Sequence, residues 1–227
     1  MTTRTYHPRQ GRVSARHRTA LADLWPRYGV DATAPLRAGA LFGRELPIVL
    51  EIGSGMGEAT LAMAAADPER GYLAVEIHRP GLGNLVALTH ELGLDNLRVY
   101  DGDALRLLEH QLAPASLDAV HVFFPDPWPK ARHHKRRLIE PTRLGLIASR
   151  LRPGGILHCA TDAEGYAQAM LAAVTASTAF VNAYPAFAPR PAHRPETKFE
   201  RRGIDAGRAI FDLIVTRTAD EGIDGAR

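Results

Sequence analysis

The sequence predicts a doubly wound α/β domain built on a parallel sheet. Two observations lead there. Short apolar runs rich in Val, Ile and Leu alternate with segments of helical composition, which is the pattern of a sheet buried on both faces. The apolar runs also end in glycines or single acids, and in open α/β sheets ligands bind beyond the carboxyl ends of the strands.

The elements follow in order. Residues 1–18 carry Arg4, His7, Arg9, Arg12, Arg16, His17 and Arg18 and are expected to form a flexible basic arm. A short helix is expected over 20–28. A buried strand at 47–52 runs into Gly53-Ser54-Gly55-Met56-Gly57, and the alanine-rich segment 58–66 is helical. A strand at 71–77 and a helix at 80–92 follow, then a strand at 97–100 ending in Asp101-Gly102-Asp103, a helix at 105–112 and a strand at 117–124. After a basic segment come a helix at 141–151, the turn Arg152-Pro153-Gly154-Gly155, a strand at 156–160 and a helix at 163–175. A sixth strand is expected at 180–184, irregular chain at 185–203, and a last strand at 208–216. One domain over 19–217 accounts for this run, with 218–227 as a frayed tail.

Composition narrows the class. With 227 residues, 45% hydrophobic and 23% charged, the chain suits a soluble globular domain with a full two-sided sheet. The N-terminus is basic but lacks the apolar core of a secretory signal, and no apolar run approaches a membrane span, so the expected location is the cytoplasm. The single cysteine, Cys159, reads as a small buried hydrophobe in a strand, and no Cys/His spacing of a metal site is present. The net charge is only +3, yet Lys130, Arg132, Lys135, Arg136 and Arg137 fall within eight positions, the footprint of a site for a polyanion.

The strand ends carry the chemistry. The first strand delivers Glu51 and the glycine turn, where Gly53, Gly55 and Gly57 permit a tight turn and close approach of a ligand. A dinucleotide fingerprint wants glycine or alanine at position 58; Glu58 stands there, which places a nicotinamide oxidoreductase well behind other readings. Glu76, at the end of the second strand, suits a ribose diol in either a nicotinamide or an adenosyl cofactor. Asp103, beyond the third, suits an adenine amino group. The fourth strand runs into Phe124-Pro125-Asp126-Pro127-Trp128-Pro129-Lys130. Pro125 and Pro127 restrict the backbone around Asp126. Trp128 suits either a stacking surface for a base or the core.

This arrangement resembles the Rossmann-like S-adenosylmethionine-dependent methyltransferases, and the turn before the fifth strand is similar to theirs. That resemblance implies that the last strand is antiparallel and inserts beside the fifth, in a seven-stranded and otherwise mostly parallel sheet with helices on both faces. The segment from Phe124 to Lys130, followed by Arg132-His133-His134-Lys135-Arg136-Arg137-Leu138, closely resembles the tRNA (guanine-N7)-methyltransferases of bacterial type. So do Glu76-Ile77-His78-Arg79-Pro80-Gly81, Thr161-Asp162 and Thr197-Lys198-Phe199-Glu200. Ala131 and Ala163 depart from the family pattern, which has lysine and often a large aromatic there.

The resemblance implies methylation at N7 of a guanine in the tRNA variable loop, with S-adenosyl-L-methionine as cofactor, tRNA as partner and no obligatory protein partner. It assigns Glu51, Gly53, Gly55, Gly57, Glu76, Asp103 and Asp126 to the cofactor region, with Asp126 at the catalytic position. Lys130, Asp162, Thr197, Lys198, Phe199 and Glu200 would contact the substrate, and Arg132, His133, His134, Lys135, Arg136 and Arg137 the RNA. Taken alone, Asp162 reads equally as a helix N-cap, the pair His133-His134 as surface, and 197–200 as loop. Two rivals remain at this point: a methyltransferase acting on an exocyclic amine, and an RNA-binding module that keeps the fold without catalysis.

Overall fold

A computed structural model describes residues 4–7, 11–31 and 35–219. Positions 1–3 and 8–10 of the expected arm, Arg9 among them, and 220–227 of the expected tail lie outside the described residues.

The elements are α1 (Ala15–Asp23), α2 (Trp25–Tyr28), α3 (Ala38–Phe42), β1 (Ile48–Ile52), α4 (Glu58–Ala66), β2 (Gly71–Glu76), α5 (Arg79–Glu91), β3 (Leu97–Asp101), α6 (Ala104–His110) and β4 (Leu117–Phe123). A 3-10 helix (Ala131–Arg136), α7 (Pro141–Arg150), β5 (Leu151–Thr161), α8 (Glu164–Thr175), β6 (Phe180–Asn182), α9 (Lys198–Asp205) and β7 (Phe211–Arg217) complete the chain. The sheet order is β3-β2-β1-β4-β5-β7-β6. β1 to β5 are parallel, and β7 runs antiparallel between β5 and β6, as the resemblance implies.

Alternation along the strands sends side chains to two cores. Leu50, Ile52, Leu73, Val75, Val120 and Val122 face one cluster; Val49, Tyr72, Ala74, Ala119 and Phe123 face the other. Both sets are buried, so the strands read as continuous apolar runs. Cys159 is fully buried in the first cluster, and burial pushes its thiol pKa well up, as a small hydrophobe requires.

Four expectations about elements need correction. The first helix begins at Ala15, capped by the Ser14 hydroxyl, and breaks at Leu24 before a separate turn at α2 that carries Pro26 in its first turn. The turn at 152–155 lies inside the span of β5, because Leu117 pairs with Leu151 and Ala119 with Ile156 across a register shift. The basic segment forms a 3-10 helix where no element was expected. The segment 185–203 is not irregular throughout, since α9 begins at Lys198.

Since β1 leads to β2 on one side and lies beside β4 on the other, the strand order reverses between β1 and β4. A crevice opens at that switch point, over the carboxyl ends of the strands.

Candidate active site

The crevice holds a cavity of about 410 Å³, lined from three directions: by the glycine turn after β1 and the end of β2, by Phe123 to Asp126 after β4, and by Thr197 to Phe199 at the start of α9. Thr5, Tyr6 and His7 also line it.

The floor is made by local backbone geometry. Gly53 and Gly55 adopt φ of 80° and 58°, in the left-handed region, and a Cβ on either would project into open space. The turn therefore presents bare backbone to the cavity. Glu76 pins it in place: Oε2 accepts from the Gly55 N–H at 2.6 Å, and Oε1 from the Ile77 and His78 N–H groups at 2.7 and 2.9 Å. Glu51 is buried and takes the Thr60 hydroxyl at 2.5 Å. Burial pushes its pKa up from 4.5 to about 7; the Thr60 hydroxyl works the other way, and the charge of Glu76 adds a smaller upward push. The Ser54 hydroxyl oxygen is buried at the cavity wall without a hydrogen-bond partner among the described residues. A bare glycine cradle, two acids and an unsatisfied hydroxyl fit a polar cofactor with ribose and amine groups. Gly57 faces away: a Cβ there would strike Leu85, so its role is packing against α5. Asp103 caps α6 through the Leu105 N–H at 2.8 Å, between Gly102 and Ala104, which line the cavity.

The β4 side is strained. Phe124 and Trp128 sit at φ of 50° and 45°, outliers for bulky side chains, and they bracket Pro125-Asp126-Pro127. Trp128 is 2% exposed, so of its two readings the core-like one holds. Its indole N–H donates to the Thr5 carbonyl at 3.1 Å, the His7 ring stacks on it at 3.8 Å, and Arg136 lies over it at 4.9 Å. The Asp126 carboxylate accepts from the His7 backbone N–H at 2.9 Å.

Beyond Asp126 the cations divide. Lys130, Arg132, His134 and Lys135 are exposed; His133 and Arg136 are half-buried. Arg137 turns inward, donating to the Pro127 carbonyl at 3.0 Å and lying 4.9 Å over the Tyr166 ring. It braces the Asp126 turn from behind.

The segment 197–200 is the start of a helix rather than a loop. Thr197 is the N-cap of α9, its hydroxyl accepting from the Glu200 N–H at 3.3 Å. The signal was Thr-x-x-Glu, the pattern of a capping box. The Glu200 side chain instead turns into the protein and binds Arg194, which also takes both oxygens of Asp212, at 2.7 and 2.9 Å. Asp162 is not the cap of α8, which begins after Ala163; its carboxylate takes Arg208 at 2.8 Å. Of the expected residues, the cavity lining brings together Glu51, Gly53, Gly55, Glu76, Asp126, Thr197, Lys198 and Phe199. It leaves Gly57, Asp103, Lys130, Asp162, Glu200 and the segment 132–137 around it.

Sequence reasoning missed Glu58 and Arg202 at the lining. Glu58 joins the two sides of the cavity: one oxygen takes the Lys198 N–H at 2.7 Å and the other takes Arg201 at 2.8 Å. Burial alone would raise its pKa, but the Lys198 and Arg201 donors outweigh it and hold the carboxyl below its ordinary range. Its only sequence signal was negative, the acid that spoils a dinucleotide fingerprint.

Comparison with known proteins agrees with this geometry. A family model described as putative methyltransferase matches residues 45–213. A tRNA (guanine-N7)-methyltransferase of Streptomyces avermitilis is 53% identical over 217 residues, covering 94% of this chain and 75% of the relative. One from Halorhodospira halophila is 52% identical over 216 residues, covering 93% and 94%. Among solved structures, the 16S rRNA methyltransferase KamB superposes with a TM-score of 0.57 at 18% identity, covering 95% of this chain and 99% of that one. A SAM-dependent O-methyltransferase from Thermotoga maritima gives 0.51 at 16% identity, covering 81% and 64%. At such identities the structural matches establish the methyltransferase fold.

Proposed function

The chain belongs to the tRNA (guanine-N7)-methyltransferase family, and on that premise we propose that it methylates N7 of a guanine in the variable loop of tRNA, with S-adenosyl-L-methionine as donor. The observation that carries the reading is the convergence at one cavity of the glycine cradle and the strained turn bearing Asp126, with exposed cations just beyond.

When bound, the cofactor supplies a methyl group already activated on a sulfonium. The bare backbone of Gly53 and Gly55, the Ser54 hydroxyl, Glu51 and Glu76 would hold it, with Asp103 beside Gly102. Glu76 spends three backbone N–H groups on its carboxylate, so its first task is to hold the cradle open. A lone pair left on Oε2 serves one ribose hydroxyl.

Guanine N7 has a lone pair and no proton, so no side chain needs to act as a base. The protein's work is positioning and electrostatics. Positive charge grows on the guanine as it accepts the methyl group, and the Asp126 carboxylate, fixed between two prolines and two strained aromatics, stabilises it. Strain of about 1–3 kcal/mol at each aromatic is tolerated because Trp128 is covered on its faces and Arg137 braces Pro127. Lys130, Asp162, Thr197, Lys198 and Phe199 serve the substrate nucleotide. The exposed cations among 132–136 take phosphates, which position the RNA without reading its sequence. Arg137 and Glu200, both engaged inside the protein, act by holding these elements in place. Among the described residues no helix is long and apolar enough to cross a membrane, and tRNA as substrate points to the cytoplasm.

The test offers methyl-labelled donor and unmodified tRNA to the full chain, then maps label by reduction and aniline cleavage. N7 methylation gives a cationic, cleavable base at one variable-loop guanine. Label resistant to cleavage would instead indicate transfer to an exocyclic amine, and binding without transfer an RNA-binding module.

A further inference from the structure

On the face of the sheet shared with Ala119, Phe123 and Ala160, β4, β5 and β7 carry a polar group outside the cavity. His121 and His158 stand opposite each other on β4 and β5, buried at 6% and 1% exposure. His193 reaches them from the segment preceding α9, and one ring nitrogen from each of the three lies within 4.8 Å of the others. We propose that His121, His158 and His193 form a binding site for a divalent transition metal of the zinc class, which pins the segment before α9 to the sheet.

Three observations carry this. First, the tautomer of His158 is determined: Nε2 lies 2.7 Å from Asp212 Oδ1, an ionised carboxylate that only accepts, so Nε2 carries the proton and Nδ1 a lone pair. A histidine whose far nitrogen donates to a carboxylate is the usual arrangement of a ring that ligates metal. Second, His158 Nδ1 and His121 Nδ1 are both buried with no hydrogen-bond partner among the described residues. Buried polar atoms are rarely left so, and here both belong to the proposed ligands. Third, the rings are in the ligating form. Burial holds the pKa of all three below the ordinary value; the neighbouring rings add to this at His121 and His193, while Asp212 opposes it at His158 without reversing it.

The surrounding cations are each paired with a carboxylate. Arg194 is taken up by Asp212 and Glu200, and Glu200 also lies 3.8 Å from Arg190. Arg70 repels positive charge at His121 and His193 and is itself paired with Asp67 at 3.2 Å. Tetrahedral zinc–nitrogen bonds of about 2.0–2.1 Å place the nitrogens about 3.3 Å apart, so the three would close in by at most about 1.5 Å. His193 is exposed, so its ring has room to move. With three protein ligands a fourth position is left for water. Because the chain runs from His193 through Arg194 into Thr197 to Phe199, the metal would order the wall of the cavity without entering it.

The experiment uses the tag-free full chain stripped with chelator. Titration with Co2+ should give the visible absorption of a tetrahedral nitrogen site saturating at one equivalent, and Zn2+ should displace it. His193→Ala should fold like the wild type, since the residue is exposed, and bind Co2+ at least about 100-fold more weakly. His133→Ala with His134→Ala, the pair in the basic segment, should bind as the wild type does. Hydrogen exchange at 189–197 should slow when Zn2+ is added. The proposal is overturned if the wild type takes up no metal at micromolar concentration, which would leave water to satisfy the two lone pairs. It is equally overturned if His193→Ala binds unchanged, or if uptake is lost with the 133/134 pair instead.

Discussion

The two walls of the cavity are built differently. The floor after β1 and β2 is held by contacts close in sequence: Glu76 takes N–H groups one, two and 21 positions away, and Glu51 takes Thr60 nine positions on. The opposite wall is assembled from afar. Asp126 and Trp128 take their partners from residues 119 and 123 positions away, and Glu58 reaches 140 and 143 positions to α9. A local wall forms with the strand–turn–helix that carries it. A remote wall exists only when the whole sheet is in place, so its integrity depends on buried polar ties rather than on turn geometry.

The largest break in that comparison is at Arg194. Its guanidinium is fully buried and fills both the Glu200 and the Asp212 carboxylates. Arg194→Ala leaves the buried Asp212 with the His158 ring and the buried Glu200 with Arg190 at 3.8 Å, and unfolding in urea should show a loss of about 3–5 kcal/mol. Cofactor affinity of whatever remains folded should be preserved, because the local wall does not use this tie. A variant with wild-type stability would show that the remote wall is held by packing alone.

Next comes Asp126→Asn, which keeps shape and removes charge. Single-turnover methylation at saturating tRNA and donor should fall by about 10²–10³, the effect of losing one preorganised electrostatic group. The wild-type rate should stay flat with pH above the carboxylate range, since N7 needs no base. An undiminished rate would reduce Asp126 to a turn residue.

The local wall has its own signature in Glu51. Its folded pKa, near 7, lies above its ordinary 4.5, so the folded protein binds the extra proton between these values. Stability is therefore greatest below about pH 4.5, as far as this group goes, and declines as pH rises to about 7, by roughly 3 kcal/mol in all. Glu51→Gln should remove that slope, so its stability should exceed the wild type's most clearly above pH 7. Parallel slopes for the two proteins would place the proton elsewhere.

The same contrast decides what could be read in advance. Glu51, Gly53, Gly55 and Glu76 are legible because strand ends, glycine turns and single acids in apolar runs are local signals. So is the sheet, apart from the antiparallel β7, which needed the family likeness. The inward turn of Arg137 was not legible, because a basic run carries no mark of which cation faces Tyr166. Nor was the burial of Trp128 under His7, a contact across 121 positions. The helical start at Lys198 lay within reach: Thr197 and Glu200 had the spacing of a cap, but the surrounding prolines drew the reading toward a loop.

The smallest effect tests whether the two walls communicate. Glu58 stands at the head of α4, directly after the glycine turn, and both its oxygens belong to α9, through the Lys198 backbone and the Arg201 guanidinium. The pair with Arg201 is about half exposed on both sides, so in stability it should contribute only about 0.2–1 kcal/mol. Because the carboxyl is held below its ordinary range, that contribution is present at neutral pH and fades as the medium turns acid. A double-mutant cycle with Glu58→Gln and Arg201→Gln isolates it. If the bridge only staples the surface, the coupling should be the same with and without cofactor. If it relays the state of the glycine turn to α9, saturating donor should increase the coupling measured on tRNA affinity, and high salt should diminish it. Two independent walls would give zero coupling in both conditions.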